Sequence, residues 1–193
     1  QALAIRALAN EMRATGASPA PRIGRLSDHV PEVSLPTQVG GLPVIGQRSE
    51  DLAPWPLEPR GGFVITGPPG SGRTTALLAV RAALLRTDPG TVAILLTPIP
   101  SDLLSVRWSM VAIGAAESTL LTIDLLTQLR GRQEGKRVLI VVESVAEFVG
   151  TEAEQPLTDL IKVATSQGHF VVLEGEISTM STGYSNLLNA VRS

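Results

Sequence analysis

The sequence contains no cysteine, and only two of its 16 Lys+Arg residues are lysine, Lys136 and Lys162. Without thiols there is neither a disulfide nor a thiolate zinc site, which fits a reducing compartment. Aromatic residues make up 3% of the 193 positions, so the core must be aliphatic. No apolar run reaches the ~18–20 residues of a membrane-spanning helix. The opening "QALAIRALANEMR" lacks the layout of a signal peptide. Basic runs are absent as well. The 18 Asp+Glu outweigh the Lys+Arg for a net charge of −2, which argues against a nucleic-acid footprint.

What is present is the composition of a globular protein, 44% hydrophobic and 18% charged. A chain of this length suits one medium domain with an extension and buries about 70% of its unfolded surface. Beginning at Gln1, it reads as a piece of a longer chain, whose membrane anchor, if any, would lie elsewhere.

Ile5, Leu8 and Met12 recur at helical spacing, so residues 2–13 are expected to form a short amphipathic helix ended by Gly16. Residues 17–60 are rich in proline, which cannot donate to a sheet ladder. This is an irregular or edge-strand region, with short strands at "LPVIG" and "APWPLE". From Gly62 apolar runs alternate with helical stretches. The runs "FVIT" (63–66), "TVAILLT" (91–97), "RVLIVVE" (137–143) and "HFVVLEG" (169–175) read as strands. Helices are expected from Arg73 to Leu85 (with Leu77, Leu78, Leu84 and Leu85), over 115–130 (with Leu121, Leu125 and Leu129), from Leu157 to Thr165, and from Thr182 to Val191. Strands with no polar alternation are covered on both faces, the mark of a parallel sheet flanked by helices. The expected fold class is therefore α/β, a mostly parallel sheet with helices on both faces. Residues 1–60 are expected to form a helix and proline-rich extension packing on the core, and residues 61–193 the core itself, expected to lack its last strands.

The stretch Gly67-Pro68-Pro69-Gly70-Ser71-Gly72-Arg73-Thr74-Thr75 follows one strand and opens a helix. Its G-x-x-x-x-G spacing is that of a phosphate-binding loop. Glycines are needed there because backbone N–H groups must wrap an anion, and the following helix N-terminus attracts it. The strand–loop–helix context is the one the motif requires. These nine residues are the candidate nucleotide-binding set, with Thr74 as the hydroxyl ligand of a metal. Arg73 stands where lysine normally reaches the terminal phosphates. Arginine binds phosphate, but as a planar fork and not a compact point charge.

A working site of this kind also needs a strand ending in a metal-holding Asp and a carboxylate that positions water. The positions that qualify are Glu143 and Ser144 at the end of "VLIVVES". Glu143 is the candidate metal ligand, one methylene longer than Asp. Ser144 occupies the catalytic position without a carboxylate. Glu147 lies about one turn farther on. Glu174 and Glu176 end the fourth apolar run, where exposure at a strand terminus is the simpler expectation. His29 and His169 are far apart and have no carboxylate cluster near them, so they are not expected to bind metal. Trp55 is read as a packing anchor.

With these residues in view, "GLPVIG…EDLAPWPLEPRGGFVITGPPGSGRTT", "VLIVVESVAEF" and "SQGHFVVLEGE…NAVRS" resemble the FtsK/SpoIIIE-type motor ATPases. The resemblance covers most of the chain and is nearest to the last ATPase module of EccC- and EssC-like proteins, the coupling ATPases of type VII secretion. It implies a RecA-like fold, ATP with Mg2+, and neighbouring ATPase modules in the parent chain. It also implies secreted protein substrates and a cytoplasmic domain whose parent sits at the membrane. Family members often carry Asp-Asp where this chain has Glu143-Ser144. A degenerate module with a regulatory or docking role is expected ahead of two alternatives, a DNA-translocating ATPase and an interaction module with an empty pocket.

Backbone-phosphate binding demands clustered Lys and Arg and falls steeply with salt. The isolated chain is predicted not to shift duplex DNA in a gel at physiological ionic strength. A salt-dependent shift there would bring the DNA-translocating reading forward.

Overall fold

The computed structural model describes residues 2–16, 24–131 and 136–176 together with Leu187 and Ala190. The expected helix over 182–191 therefore lies outside the described residues, save for those two buried positions. Among the described residues up to Glu176, eight strands and four α-helices follow one another as α1 (Ala2–Ala14), β1 (Gln38–Val39), β2 (Leu42–Gln47), β3 (Pro54–Pro56), β4 (Gly61–Gly67), α2 (Arg73–Thr87), β5 (Val92–Thr97), β6 (Met110–Ile113), α3 (Gly114–Arg130), β7 (Val138–Val142), α4 (Glu154–Ser166) and β8 (Phe170–Glu176).

β1, β2 and β3 form a small antiparallel sheet. The other five strands make one parallel sheet in the order β4-β8-β7-β5-β6. The expected strands are all there. β6 is an addition, and of its four edge-strand residues only Ala112 is buried, so no run of the kind that marks a strand covered on both faces is required there. α4 begins at Glu154, ahead of the expected Leu157. Pro156 is tolerated because the first turn of a helix has no intrahelical acceptor for its missing N–H.

The central strands are apolar throughout because both of their faces are covered. Successive side chains point to opposite faces of a strand. Ile94, Leu96, Ile140, Val142, Val171 and Leu173 point to one side. There they meet Leu125, Leu126 and Leu129 of α3 and Leu157, Leu160, Ile161 and Ala164 of α4. Ala93, Leu95, Leu139, Val141, Phe170 and Val172 point to the other, against Leu77, Val80 and Leu84 of α2 and Trp108. Phe63 and Phe170 pack ring to ring at 6.2 Å, the tilted contact aromatic pairs favour.

The proline-rich segment fixes α2 from outside. Arg86 near the end of α2 pairs with Glu32 (2.6 Å) and donates to the carbonyl of Val44 (3.1 Å), itself fully buried in β2. Five residues earlier on α2, the Arg81 guanidinium lies over the Trp108 ring at 5.1 Å, and burial lowers its pKa from the usual value. α1 behaves differently from the expected packing of the extension. Its Leu3, Ile5, Leu8 and Met12 are all more than half exposed.

Leu157 has no exposed surface and touches the sheet through α4, whereas Leu120 on α3 is 71% exposed. Leu157→Ala is expected to cost about 2–5 kcal/mol in urea unfolding, and Leu120→Ala less than about 0.5 kcal/mol. Similar losses at both sites would contradict this layering.

Candidate functional site

The alternation that fills the core also builds the site. Leu96, Val142 and Leu173 are register partners across β5, β7 and β8, and all three point toward α3 and α4. The next residue on each strand must therefore point the opposite way, toward α2. Those residues are Thr97, Glu143 and Glu174. Each is buried, and together they are the buried polar side chains at the carboxyl ends of the three central strands, with Glu176 half-buried at the last position of β8. β8 lies between β4 and β7, so Glu174 stands between the loop after β4 and the Glu143–Ser144 pair after β7.

The loop from Gly67 to Gly72 turns sharply between β4 and α2. Gly70 and Gly72 have φ of 76° and 88°, the left-handed region that side chains resist, so both positions call for glycine. Pro68 and Pro69 contribute no N–H, and the Ser71 amide donates to the Pro68 carbonyl at 3.2 Å. Among the described residues, the loop amides without such a partner are those of Gly70, Gly72 and the first turn of α2, Arg73 to Thr75. A helix start leaves those last donors free by construction. Ser71 folds its hydroxyl against the Gly67 backbone, where a side chain at 67 would collide with it. Thr74 is half-buried and no described residue engages its hydroxyl, whereas Thr75 is exposed. The loop thus fits a polyphosphate through its amides, and Thr74 keeps a hydroxyl available for a metal ion.

The charged side chains are arranged differently from the sequence expectation. Arg73 Nη1 donates to the Gly67 carbonyl at 2.7 Å, and its Nε lies 2.6 Å from Glu174 Oε1. The second oxygen of Glu174 accepts from the Ser144 amide at 2.8 Å. Glu174 was expected as an exposed strand end. It is 3% exposed, because the β8 register turns it inward against the first residue of α2. Glu143 stands at the end of β7 as expected, but its Oε2 already accepts from the Ser101 hydroxyl (2.6 Å) and lies 2.8 Å from the Thr97 hydroxyl, whose single proton is shared with the Ile99 carbonyl (2.6 Å). Thr97 and Ser101 were not foreseen. The polar residue closing the apolar run "TVAILLT" was the available signal for Thr97, the same signal that pointed to Glu143.

Ser144 adopts a left-handed conformation (φ 47°, ψ 50°), unusual for a residue with a side chain. That twist ends β7 and turns its amide to Glu174. Glu147 is exposed on the short 3-10 turn that follows, and so is not drawn into the cluster. His29 is exposed and His169 half-buried, and no group of three potential metal-ligating side chains occurs among the described residues. Trp55, read as a packing anchor, is 49% exposed on β3.

No protein-family model matches the chain, and no curated protein does. Solved structures do. The cytoplasmic domain of the Thermomonospora curvata type VII secretion ATPase EccC superposes with a TM-score of 0.72 at 19% identity, covering 90% of this chain and 23% of that one. ATPases 2 and 3 of the same EccC, in complex with a signal sequence peptide, give 0.73 at 18%, covering 90% and 36%. ATPases 2 and 3 of Geobacillus thermodenitrificans EssC give 0.63 at 18%, covering 97% and 40%. The chain spans less than half the length of each of these structures. Its parallel sheet, with a loop and helix after β4 and helices on both faces, is the RecA-like P-loop fold found in the ATPase domains of these secretion proteins.

Proposed function

We propose that this chain is an ATP-binding module of a type VII secretion-like ATPase that binds nucleotide weakly and turns it over slowly or not at all. Its role is regulatory, or it docks secreted protein substrates. The observation that carries this reading is the arrangement around Arg73. The cation at the phosphate-lysine position is engaged by Glu174 and by the Gly67 carbonyl. The position that should present a water-orienting carboxylate is Ser144.

In this reading the amides of Gly70, Gly72 and the first turn of α2 bind the phosphates, and the α2 N-terminus adds a favourable dipole. Thr74 and Glu143 are the residues that would hold Mg2+, which when bound offsets charge on the phosphates. Thr97 and Ser101 lie on Glu143 Oε2 only, so Oε1 is the oxygen that would face the ion. General-base assistance alone is worth about 10²–10⁴-fold in rate, and Ser144 cannot supply it. The signal sequence peptide bound to EccC ATPases 2 and 3 supports a docking role for modules of this fold, and those two-ATPase structures support neighbouring modules as partners. A cytoplasmic location beneath a membrane-anchored parent belongs to the same proposal, as does the division into a 1–60 extension and a 61–193 core. Among the described residues, no helix is long and apolar enough to cross a membrane.

The same Arg73–Glu174 pair favours a second reading, an interaction module whose loop takes no nucleotide. Titration calorimetry with ATP, with and without Mg2+, separates the two. The expected affinity lies between micromolar and millimolar, about −8 to −4 kcal/mol, with ATP turnover at background. Absence of heat and of any thermal shift at millimolar ATP would select the interaction module. Steady turnover lost on Thr74→Ala would overturn the assignment of slow chemistry.

A further inference from the structure

The arginine of the loop already has an anion. Arg73 and Glu174 meet at 2.6 Å with side chains 22% and 4% exposed, so the contact is largely shielded from water. Charges so placed interact far more strongly than surface pairs, whose net worth is small. The carboxylate is also anchored on its far side, where Oε2 takes the Ser144 amide. The guanidinium in turn is anchored by the Gly67 carbonyl at the first residue of the loop. A chain of three contacts therefore runs from the start of the loop through Arg73 and Glu174 to the residue after Glu143.

The geometry points to Glu174 as an internal anion that competes with a ligand's phosphate for Arg73 and so sets the affinity of the loop. This inference rests on the reading that the loop takes a polyphosphate, and it names what opposes binding there. An arginine fork grips carboxylate and phosphate by the same paired N–H geometry, so the two anions are rivals for one donor set. A phosphate that wins Arg73 leaves Glu174 buried without its cation, and removing one partner of a buried pair is costly. The displaced carboxylate also remains beside the incoming phosphates, and like charges repel. Both effects weaken binding, and both come from one side chain.

Glu174→Gln removes the charge while preserving the shape and the acceptor for the Ser144 amide. Titration of the whole chain with ATP, and separately with inorganic tripolyphosphate, is expected to show binding at least about tenfold tighter than in the unmodified protein, a change of about 1.4 kcal/mol. Tripolyphosphate is included because the competition concerns phosphate and not the base. Adding Arg73→Ala to Glu174→Gln should abolish the gain, since the freed arginine carries it. The ligand-free variant should also melt lower than the unmodified protein, and its stabilisation by ATP should be larger.

Equal or weaker binding by a folded Glu174→Gln protein, alongside measurable binding by the unmodified chain, would overturn the competition and leave the nucleotide reading standing. Absence of binding by both at millimolar ligand would overturn the nucleotide reading itself. If Glu174→Gln does not fold, Glu174→Asp carries the test. Its shorter carboxylate draws back from Arg73, and an affinity no higher than that of the unmodified protein would count against the inference.

Discussion

Two-sided burial of β5, β7 and β8 is the constraint from which the site follows. A strand covered on both faces has no solvent side on which to place a polar residue, and unpaired charge in such a layer is strongly disfavoured. Polar side chains can stand only where the strands run out. Because the strands are parallel and in matched register, they run out together. Because side chains alternate, the first polar residue after Leu96, Val142 and Leu173 must face α2. A row of Thr97, Glu143 and Glu174 beside the start of α2 is thus a by-product of filling the core.

The same constraint explains how tightly these side chains are engaged. Once buried, each must find a partner, since an unsatisfied polar group in the interior costs about 1–3 kcal/mol. Glu143 finds the Ser101 hydroxyl and shares that of Thr97 with the Ile99 carbonyl, and Glu174 finds a guanidinium and an amide. These contacts stabilise the ligand-free fold and at the same time commit the groups that nucleotide chemistry would use. Stability of the strand ends and readiness of the site therefore pull in opposite directions. The proline-rich segment acts on the stability side, through Arg86 with Glu32 and Val44, by holding α2 in place.

The loop differs from the strand ends in one respect. Its amides are left over by geometry: a helix start cannot satisfy its own first N–H groups, and glycines at 70 and 72 keep them unobstructed. Pro68 and Pro69 reduce the supply, and Ser71 turns its own amide inward to Pro68. What remains is an anion cradle with fewer donors than the spacing alone suggests, beside a cation that is already neutralised.

Much of this was legible in the sequence. The apolar runs gave the parallel strands and the helices between them, because burial on both faces forces an unbroken apolar pattern. The glycine spacing located the loop, because φ of 76° and 88° at positions 70 and 72 strongly favours glycine. Glu143 and Ser144 were found from their place at the end of a buried run. β6 was hidden because an edge strand needs no such pattern, and α1 kept its amphipathic spacing without the expected packing partner among the described residues. What tertiary structure alone decided is which of the strand-end residues meet. The order β4-β8-β7 inserts the last strand of the series between the first and the fourth, and so brings Glu174 against Arg73, 101 positions earlier in the chain. No local pattern encodes that pairing, because it depends on which strands become neighbours and on the register that turns one carboxylate inward.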